Sequence, residues 1–345
     1  MGNRSGIAVG IMACVVGLAL FGLGGAVAAG PADFVKLAPA EHEVFIYCDI
    51  AQMRKSKLFN DLKPTIFDQD TSTRLAAVEQ FIGVNLLNDI DIVAASGKIA
   101  QQNDGCLYIN GRWDRQRIEG LFAQNPAYAE VNKPGGKIIR FRDDRKGTIN
   151  SLTFLNNNLA VIGDSSAVEA AQAASTGQGK TLAENPTIKA HLAQCGANPA
   201  ALVVALRPQA MPPNLTSVPT IQNLQSVLLY LLDGADALTV VARVQADSPQ
   251  IAAKWLDIAR GAIAVGQIQN KVPKLAEVAG QMTAALSGNA VEVKAQIKVA
   301  DAGDVLRQRI AQDRAQRPNL GGVRVRGGAL GPGQVPGEKP VPAQW

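Results

Sequence analysis

The sequence has few of the residues that most often build a metal or redox site. Among its 345 residues there are two histidines, His42 and His191, and four cysteines. The cysteine spacing matches no zinc or redox motif, and two histidines are too few for a histidine-based metal site. We therefore expect neither a metal nor a cofactor.

Aromatic residues are also scarce, at 5% of the chain, and they do not alternate with basic residues. Proteins that bind single-stranded nucleic acid stack the bases on aromatic side chains beside a basic groove. This composition therefore argues against specific binding of nucleic acid.

The positive charge is concentrated at the C-terminus. Residues 307–345 contain seven Lys or Arg and two Asp or Glu, and this surplus equals the net charge of +5 of the whole chain. Residues 316–345 are rich in Gly and Pro and have no apolar period, so they cannot bury enough apolar surface to offset the entropy of ordering. We expect a disordered basic tail, in which Arg324 and Arg326 make only weak contacts with anionic partners.

The N-terminus predicts export. Arg4 precedes an apolar run from Ile7 to Ala29, which ends in small residues that suit cleavage after Ala28. A basic start, an apolar middle and small residues at the end are typical of a secretory signal peptide. The run also exceeds the roughly 20 residues that span a bilayer, so residues 1–29 could instead remain as a membrane anchor. Either outcome places the rest of the chain outside the cytoplasm, in the periplasm or secreted.

Three cysteines follow this N-terminal segment: Cys48, Cys106 and Cys195. Cys48 and Cys106 lie in two predicted strands, and export would permit a disulfide between them. The favoured alternative is that both are small buried thiols.

Strand-like and helical patterns are mixed along the chain without strict β-α-β alternation. The expected strands are 44–50, 90–96, 106–113, 137–142, a hairpin at 151–164, 201–207, 237–246 and 291–299. The expected helices include one that Pro64 ends and others at 73–87, after Asp114, 165–174, 186–194, 220–232, 248–263, 274–286 and 304–310. Hairpins mixed with helices favour an α+β fold of mainly antiparallel sheet packed with helices.

The order of elements repeats loosely in the two halves of the chain. We expect a first α+β repeat at 38–174, a linker at 175–185 and a second repeat at 186–315, which together would be a diverged duplication. The Pro-rich segment 208–219 departs from the pattern of the first half.

Four short segments resemble a family of exported bacterial proteins that is defined only as a domain of unknown function. They are VFIYCDI with the following Lys57-Leu58-Phe59, the segment Asn110–Asp114, the segment LAVIGDSSAVEAA, and the segment Thr181–Pro186. The resemblance covers about residues 38–312. It implies an exported or anchored two-repeat α+β protein without established activity, and it carries over no functional residues.

The segment Ala174–Thr181 reads ASTGQGKT and is similar to nucleotide-binding motif I of superfamily-two helicases. A phosphate loop connects a buried strand directly to a helix, so that backbone N–H groups point at the phosphates. Here a predicted helix precedes the segment, and Pro186 prevents a helix from continuing beyond it. We therefore interpret the segment as an exposed linker and Asn185 as the N-cap of the next helix. The residues that imitate a phosphate loop are Gly177, Gly179, Lys180 and Thr181.

Two weaker catalytic candidates remain. His191 and Cys195 lie four residues apart on one predicted helix and could form a thiol–imidazole pair. Asp49, Asp89 and Asp91 lie at strand ends and could include a carboxylate pair for acid–base catalysis. Buried pairs and turn caps without catalytic roles are more common, so we predict no catalytic residue.

The sequence thus favours a non-catalytic protein, a binding or structural module outside the cytoplasm whose partner is a protein, a lipid or a cell-wall polymer. One alternative is a carrier that holds an apolar ligand between a curved sheet and the helices, which a large apolar cavity there would support. Another is an NTPase built on Ala174–Thr181. That function would require Lys180 to line a concave pocket at a strand-to-helix turn.

Overall fold

A single twelve-stranded sheet organises the computed structural model, which describes residues 29–99, 104–143, 147–196, 198–208, 222–268 and 273–316. The strands are β1 (Val44–Asp49), β2 (Ile90–Gly97), β3 (Gly105–Gly111), β4 (Ala129–Lys133), β5 (Gly136–Arg142), β6 (Ile149–Phe154), β7 (Leu159–Asp164), β8 (Ala201–Leu206), β9 (Leu224–Asp233), β10 (Ala237–Ala246), β11 (Met282–Ser287) and β12 (Ala290–Lys298). Their order in the sheet is β11-β12-β10-β9-β8-β1-β2-β3-β7-β6-β5-β4. Neighbouring strands are antiparallel throughout.

Ten helices in the described residues cover this sheet. They are α1 (Pro31–Val35), α2 (Ile50–Met53), α3 (Lys57–Ile66), α4 (Gln69–Ile82), α5 (Arg115–Phe122), α6 (Ser165–Ser175), α7 (Pro186–Gln194), α8 (Pro249–Ile268), α9 (Pro273–Gly280) and α10 (Val299–Gln316). The combination confirms the predicted α+β class with a mainly antiparallel sheet.

The two faces of the sheet carry different helices because side chains alternate along each strand. On what we call the first face, Tyr47 and Leu202 lie in a large buried cluster with residues of α1, α6 and α7. On the second face, Cys48 packs beside α2, and smaller clusters lie beneath α3, α5, α8 and α10.

The two halves of the chain meet where β1 pairs with β8 at the centre of the sheet. Outward from this pair the order is β1-β2-β3-β7 on one side and β8-β9-β10-β12 on the other. The hairpin of β4 and β5 lengthens the first side. Both halves belong to one continuous sheet, and the expected division into repeats at 38–174 and 186–315 stays a prediction.

The helix expected at 220–232 is wrong, since residues 224–233 form strand β9. Its sequence, LQSVLLYLLD, is a nearly continuous apolar run, and periodicity cannot separate a buried helix from a buried strand in such a run. The segment forms a strand because it pairs with β8 on one side and with β10 on the other.

The helix expected at 274–286 is correct only in its first part. Helix α9 ends at Gly280, and residues 282–287 form β11, which pairs with β12. Alanine favours a helix by intrinsic propensity, but strand pairing overrides that preference here. The short helix expected at 304–310 is the middle of the longer α10, which includes residue 316 and so extends into the segment expected to be a disordered tail.

Other boundaries shift in the first half. Pro64 lies inside α3 rather than ending it, near the C-terminus of the helix, where a missing N–H removes only one of the last bonds. The helix expected at 73–87 is α4, which starts at Gln69 and ends at Ile82 because Gly83 adopts the left-handed conformation of a C-cap. Strand β4 is exposed and polar and was not predicted.

Several predictions concern residues outside the described ranges. These are the signal or anchor at 1–28, the Pro-rich segment 209–219, and the tail beyond residue 316 with Arg324 and Arg326. Among the described helices, none is both long and apolar enough to cross a bilayer.

Candidate ligand-binding site

An apolar cavity of about 420 Å³ lies on the second face of the first half, between the sheet and helices α4 and α5. Fourteen of its lining residues are aliphatic or aromatic without a polar atom. The lining residues are Phe81, Ile82, Val84, Leu86, Ile90, Ile109, Trp113, Ile118, Leu121, Phe122, Asn125, Phe141, Leu152, Phe154, Ala160 and Ile162.

Strand alternation supplies the floor of the cavity. In β6, Leu152 and Phe154 line the cavity, whereas Ser151 and Thr153 lie on the first face, where they approach α6. In β2 the register shifts between Ile90 and Ile92. This irregularity places Ile90 at the cavity and Ile92 in the cluster on the first face, because a bulge reverses the alternation of side chains.

Helix α5 forms one wall. Asp114 caps its N-terminus by accepting a hydrogen bond of 3.0 Å from the Arg117 amide, as the sequence predicted. Helical spacing then places Ile118, Leu121 and Phe122 on the side that lines the cavity. The Phe122 ring lies 4.5 Å from the Phe141 ring, centroid to centroid, which fixes the wall to the floor.

Helix α4 and the turn after it form the outer wall. Phe81 lines the cavity but is 65% exposed, so it marks the mouth. The helix is held at its C-terminus by Arg117, which donates to the backbone carbonyls of Gln80 and Phe81. Neither α4 nor α5 has a buried side chain in the described residues, but α5 also packs on β5 whereas α4 packs chiefly on α5, so α4 is the more weakly held wall.

Few polar atoms face the cavity. The Asn125 amide oxygen accepts from the amides of Ala127 and Arg142, and its nitrogen donates to the Arg142 carbonyl, so its hydrogen bonds join its own loop to the end of β5. The indole nitrogen of Trp113 is buried and has no hydrogen-bond partner in the described part of the chain. Such a lining selects a ligand by shape and apolar contact rather than by charge.

The loop that bounds the cavity at Leu86 and Ile90 is anchored by Arg54. This side chain is fully buried and donates to the Asn88 carbonyl at 2.7 Å and the Ile90 carbonyl at 3.0 Å. It also forms an ion pair with Asp91 at 2.5 Å. The anchor lies behind the cavity and does not contribute to its lining.

The segment that resembles a phosphate loop lies elsewhere. It begins at the C-terminus of α6 and continues to Thr181, where a short 3₁₀ helix (Leu182–Glu184) begins. Lys180 is exposed, and neither it nor Gly177 lines the apolar cavity. The segment follows a helix rather than a strand, so it lacks the geometry that a phosphate loop requires.

His191 and Cys195 are close in sequence but do not form a thiol–imidazole pair. The Cys195 thiol donates to the His191 carbonyl, whereas the His191 ring bonds to Ser226 through Nε2 at 2.8 Å. Burial raises the pKa of Cys195 to about 12 and, together with the charge of Arg243, lowers the pKa of His191. The thiol therefore remains protonated and unreactive near neutral pH.

The three strand-end carboxylates do not form an acid–base pair. Asp49 caps α2 by accepting from the Gln52 amide, and burial raises its pKa. Asp89 and Asp91 are brought together, but both face the guanidinium of Arg112, at 3.5 and 3.1 Å. Paired in this way, the two carboxylates have a structural partner in Arg112.

The three cysteines in the described residues are free and buried. Cys48 lies in β1 and Cys106 in β3, so β2 separates them in the sheet. Burial raises the pKa of Cys48 to about 12 and that of Cys106 to about 11. Of the two states left open by the sequence, the structure contains the buried thiols.

Sequence reasoning missed a buried polar network on the first face. His42 contacts Ser96 through Nδ1 at 2.7 Å and Asp104 through Nε2 at 3.6 Å, and the Ser96 hydroxyl also bonds to Tyr108 at 3.1 Å. The residue types are those of a serine hydrolase, but Ser96 is buried and lines neither the apolar cavity nor the smaller polar pocket beside His42. A nucleophile must reach its substrate, so we assign the network a structural role. More than fifty residues separate His42 from Ser96, and no local pattern in the sequence predicts that they meet.

No family model and no curated protein matches this chain. Three crystal structures of TP0453 have a similar arrangement of elements. Form III has a TM-score of 0.43 at 10% identity and covers 82% of this chain and 100% of TP0453. Form IV has a TM-score of 0.42 at 10% identity, with coverage of 79% and 96%. Form I has a TM-score of 0.39 at 11% identity, with coverage of 82% and 98%. This likeness concerns the fold alone, and membership in the family of exported bacterial proteins remains a prediction.

Proposed function

We propose that the protein is a non-catalytic carrier or sensor that binds an apolar molecule in the cavity beneath α4 and α5. The observation that carries the proposal is the cavity itself, which is about 420 Å³ in volume and almost entirely apolar in its lining. Ligand sites typically measure about 300–1,000 Å³. Export, expected from residues 1–29, would place this binding site outside the cytoplasm.

The dimensions favour a small lipid-like ligand or a single acyl chain. A volume of 420 Å³ holds on the order of a dozen groups the size of a water molecule, and a methylene group is of similar size. Each buried methylene contributes about 0.8 kcal/mol, so a chain that fills the cavity needs no charged partner to bind.

Access would take place at α4. The exposed Phe81 ring lies at the mouth, and the bonds from Arg117 to the last carbonyls of α4 hold the helix over it. Helix α4 has no buried side chain in the described residues and packs chiefly on α5, so it opens at low cost in free energy, which suits a wall that must admit a ligand.

The proposal predicts saturable binding of Nile red to the full chain, with a blue-shifted emission. The test variant is Ala160→Phe, because Ala160 lines the cavity floor and a phenyl ring there occupies the space of the ligand. We expect the affinity for the dye to fall at least about tenfold, a loss of about 1.4 kcal/mol or more. Fluorescence titration measures this loss.

The control is Ala190→Phe, which adds the same ring on an exposed position of α7 and should bind the dye as the wild type does. Both variants retain the apolar run at 7–29, so any dye that binds to this run contributes equally to both titrations. Thermal unfolding gives a second measurement. Overpacking of a filled core lowers the free energy of unfolding by about 1–3 kcal/mol, and a ring that enters an existing cavity avoids this loss. Equal dye affinity in a folded Ala160→Phe variant would refute the proposal.

A further inference from the structure

One edge of the twelve-stranded sheet lacks the features that usually prevent edge-to-edge association. At one end lies β4, with the charged residues Glu130 and Lys133 on an exposed strand. At the other end lies β11, whose six residues, Met282–Ser287, include no charge and no proline. Charged side chains, proline and bulges are the usual protection of an edge strand, and among the residues that the structure describes β11 has none of them.

The hairpin geometry shows which backbone groups of β11 are unpaired. Ser287 and Ala290 flank a two-residue turn in which Gly288 has a φ of 59°. Residues that flank such a turn form a hydrogen-bonded pair, and bonded pairs then alternate along the strands. Ser287, Ala285 and Thr283 therefore bond to β12. The N–H and C=O groups of Met282, Ala284 and Leu286 point away from the sheet.

Exposed apolar side chains adjoin this edge. Leu286 is 44% exposed on β11 itself. Helix α8 packs against β11 and exposes Val265 (54%) and Ile268 (74%) in its C-terminal segment 261–268, which has no charged residue. Exposed apolar side chains near open backbone groups are found at protein–protein contacts.

We propose that β11 pairs with β11 of a second copy of this chain, which gives a two-fold symmetric dimer with one continuous sheet. The two-fold axis passes between the Ala284 residues of the two copies, which therefore form one hydrogen-bonded pair. Met282 of each copy then pairs with Leu286 of the other copy. Each pair exchanges two hydrogen bonds, so every outward-pointing group of the strand is satisfied. A neutral strand meets its own copy without repulsion, and a two-fold contact is closed, which prevents open-ended assembly.

The decisive variant is Ala284→Pro. The Ala284 N–H points outward, so proline in both copies removes both hydrogen bonds of the Ala284 pair and none to β12. Analytical ultracentrifugation of the full chain over a range of concentrations should show the wild type reaching twice its monomer mass of 36.2 kDa. Ala284→Pro should remain monomeric at concentrations at least about tenfold higher, with an unchanged melting temperature in the dilute monomer. Asn132→Pro is the matched control at the other edge, where the same hairpin argument leaves the N–H of Asn132 unpaired, and it should dimerise as the wild type does.

A cysteine variant tests the register of the two β11 strands. It also tests the proposal if Ala284→Pro does not fold. Hydrogen-bonded antiparallel residues have Cα atoms about 5.5 Å apart, within disulfide range. Ala284→Cys should therefore cross-link to itself on mild oxidation, whereas Thr283→Cys, which would face Ala285 of the second copy, should not. A wild type that stays monomeric, or a dimer that survives Ala284→Pro and gives no cross-link, overturns the proposal. Dimerisation only after deletion of residues 317–345 would show that the chain's own tail covers β11, and would overturn it as well.

Discussion

Arg54 is the largest side chain that is completely buried in the described part of the fold. It connects the end of α2 to the loop before β2, through two carbonyls and the Asp91 carboxylate. A buried charge is tolerated only where such partners replace water. The sequence around it, Gln52-Met53-Arg54-Lys55, does not distinguish this arginine from the exposed Lys55 beside it.

We expect Arg54→Leu to lower the free energy of unfolding by about 3–5 kcal/mol, because it leaves Asp91 and two carbonyls without their buried partner. Urea denaturation followed by circular dichroism measures the change. Arg112→Leu is the control, since Arg112 contacts the same Asp91 but its side chain is 44% exposed. An exposed ion pair contributes only about 0–1 kcal/mol. Equal losses in the two variants would contradict the role assigned to Arg54.

At the scale of elements, helix α7 shows how a local signal decides a boundary. Asn185 caps the helix by accepting from the amides of Thr187 at 2.9 Å and Ile188 at 3.3 Å, and Pro186 occupies the first helical position. Both features follow from the dipeptide Asn-Pro itself, because an Asn side chain can accept from the free amides and proline has none to lose.

The cap predicts how three variants in the loop before α7 rank in their loss of free energy of unfolding. Asn185→Ala should lower the free energy of unfolding by about 1 kcal/mol. Lys180→Ala and Thr181→Ala should stay within about 0.5 kcal/mol, as surface substitutions do, although Thr181 also participates in the capping box of the 3₁₀ helix. Thermal unfolding measures the order, and calorimetry with ATP provides the control. Magnesium-dependent ATP binding that disappears in Lys180→Ala would restore the phosphate-loop interpretation.

At the scale of the whole molecule, the two halves share one core. The cluster on the first face includes Phe45 and Tyr47 from β1 together with Leu202 and Val204 from β8. Because β1 pairs with β8, each half of the chain covers a strand edge of the other half. The expected division into repeats at 38–174 and 186–315 stays a prediction, and the shared core favours joint folding of the two halves.

We expect the isolated fragments 29–185 and 186–345 not to fold, because separation exposes β1 and β8 as long apolar edges. The full chain should unfold in a single cooperative transition, and each fragment should lack one. Urea denaturation of all three samples decides this, and mixing the fragments tests whether pairing restores the transition. A cooperative transition in an isolated fragment would contradict the prediction.

The sequence by itself determined the local features of this protein. Strand alternation at 291–299, the caps Asp114 and Asn185, and the helix from Ser165 depend on neighbouring residues, and all are present in the structure. The α+β class follows from the mixture of these patterns, so it was predictable too.

The tertiary structure alone decided the features that depend on distant partners. Residues 224–233 form a strand because β8 and β10 pair with them on either side. Residues 282–287 form a strand because β12 pairs with them. The composition of both segments suits a helix. The apolar cavity combines residues from Phe81 to Ile162, and the bulge that directs Ile90 into it is invisible in the sequence. Cavities and networks of this kind depend on how strands and helices far apart in the chain pack together, and hydrophobic periodicity carries no information about that packing.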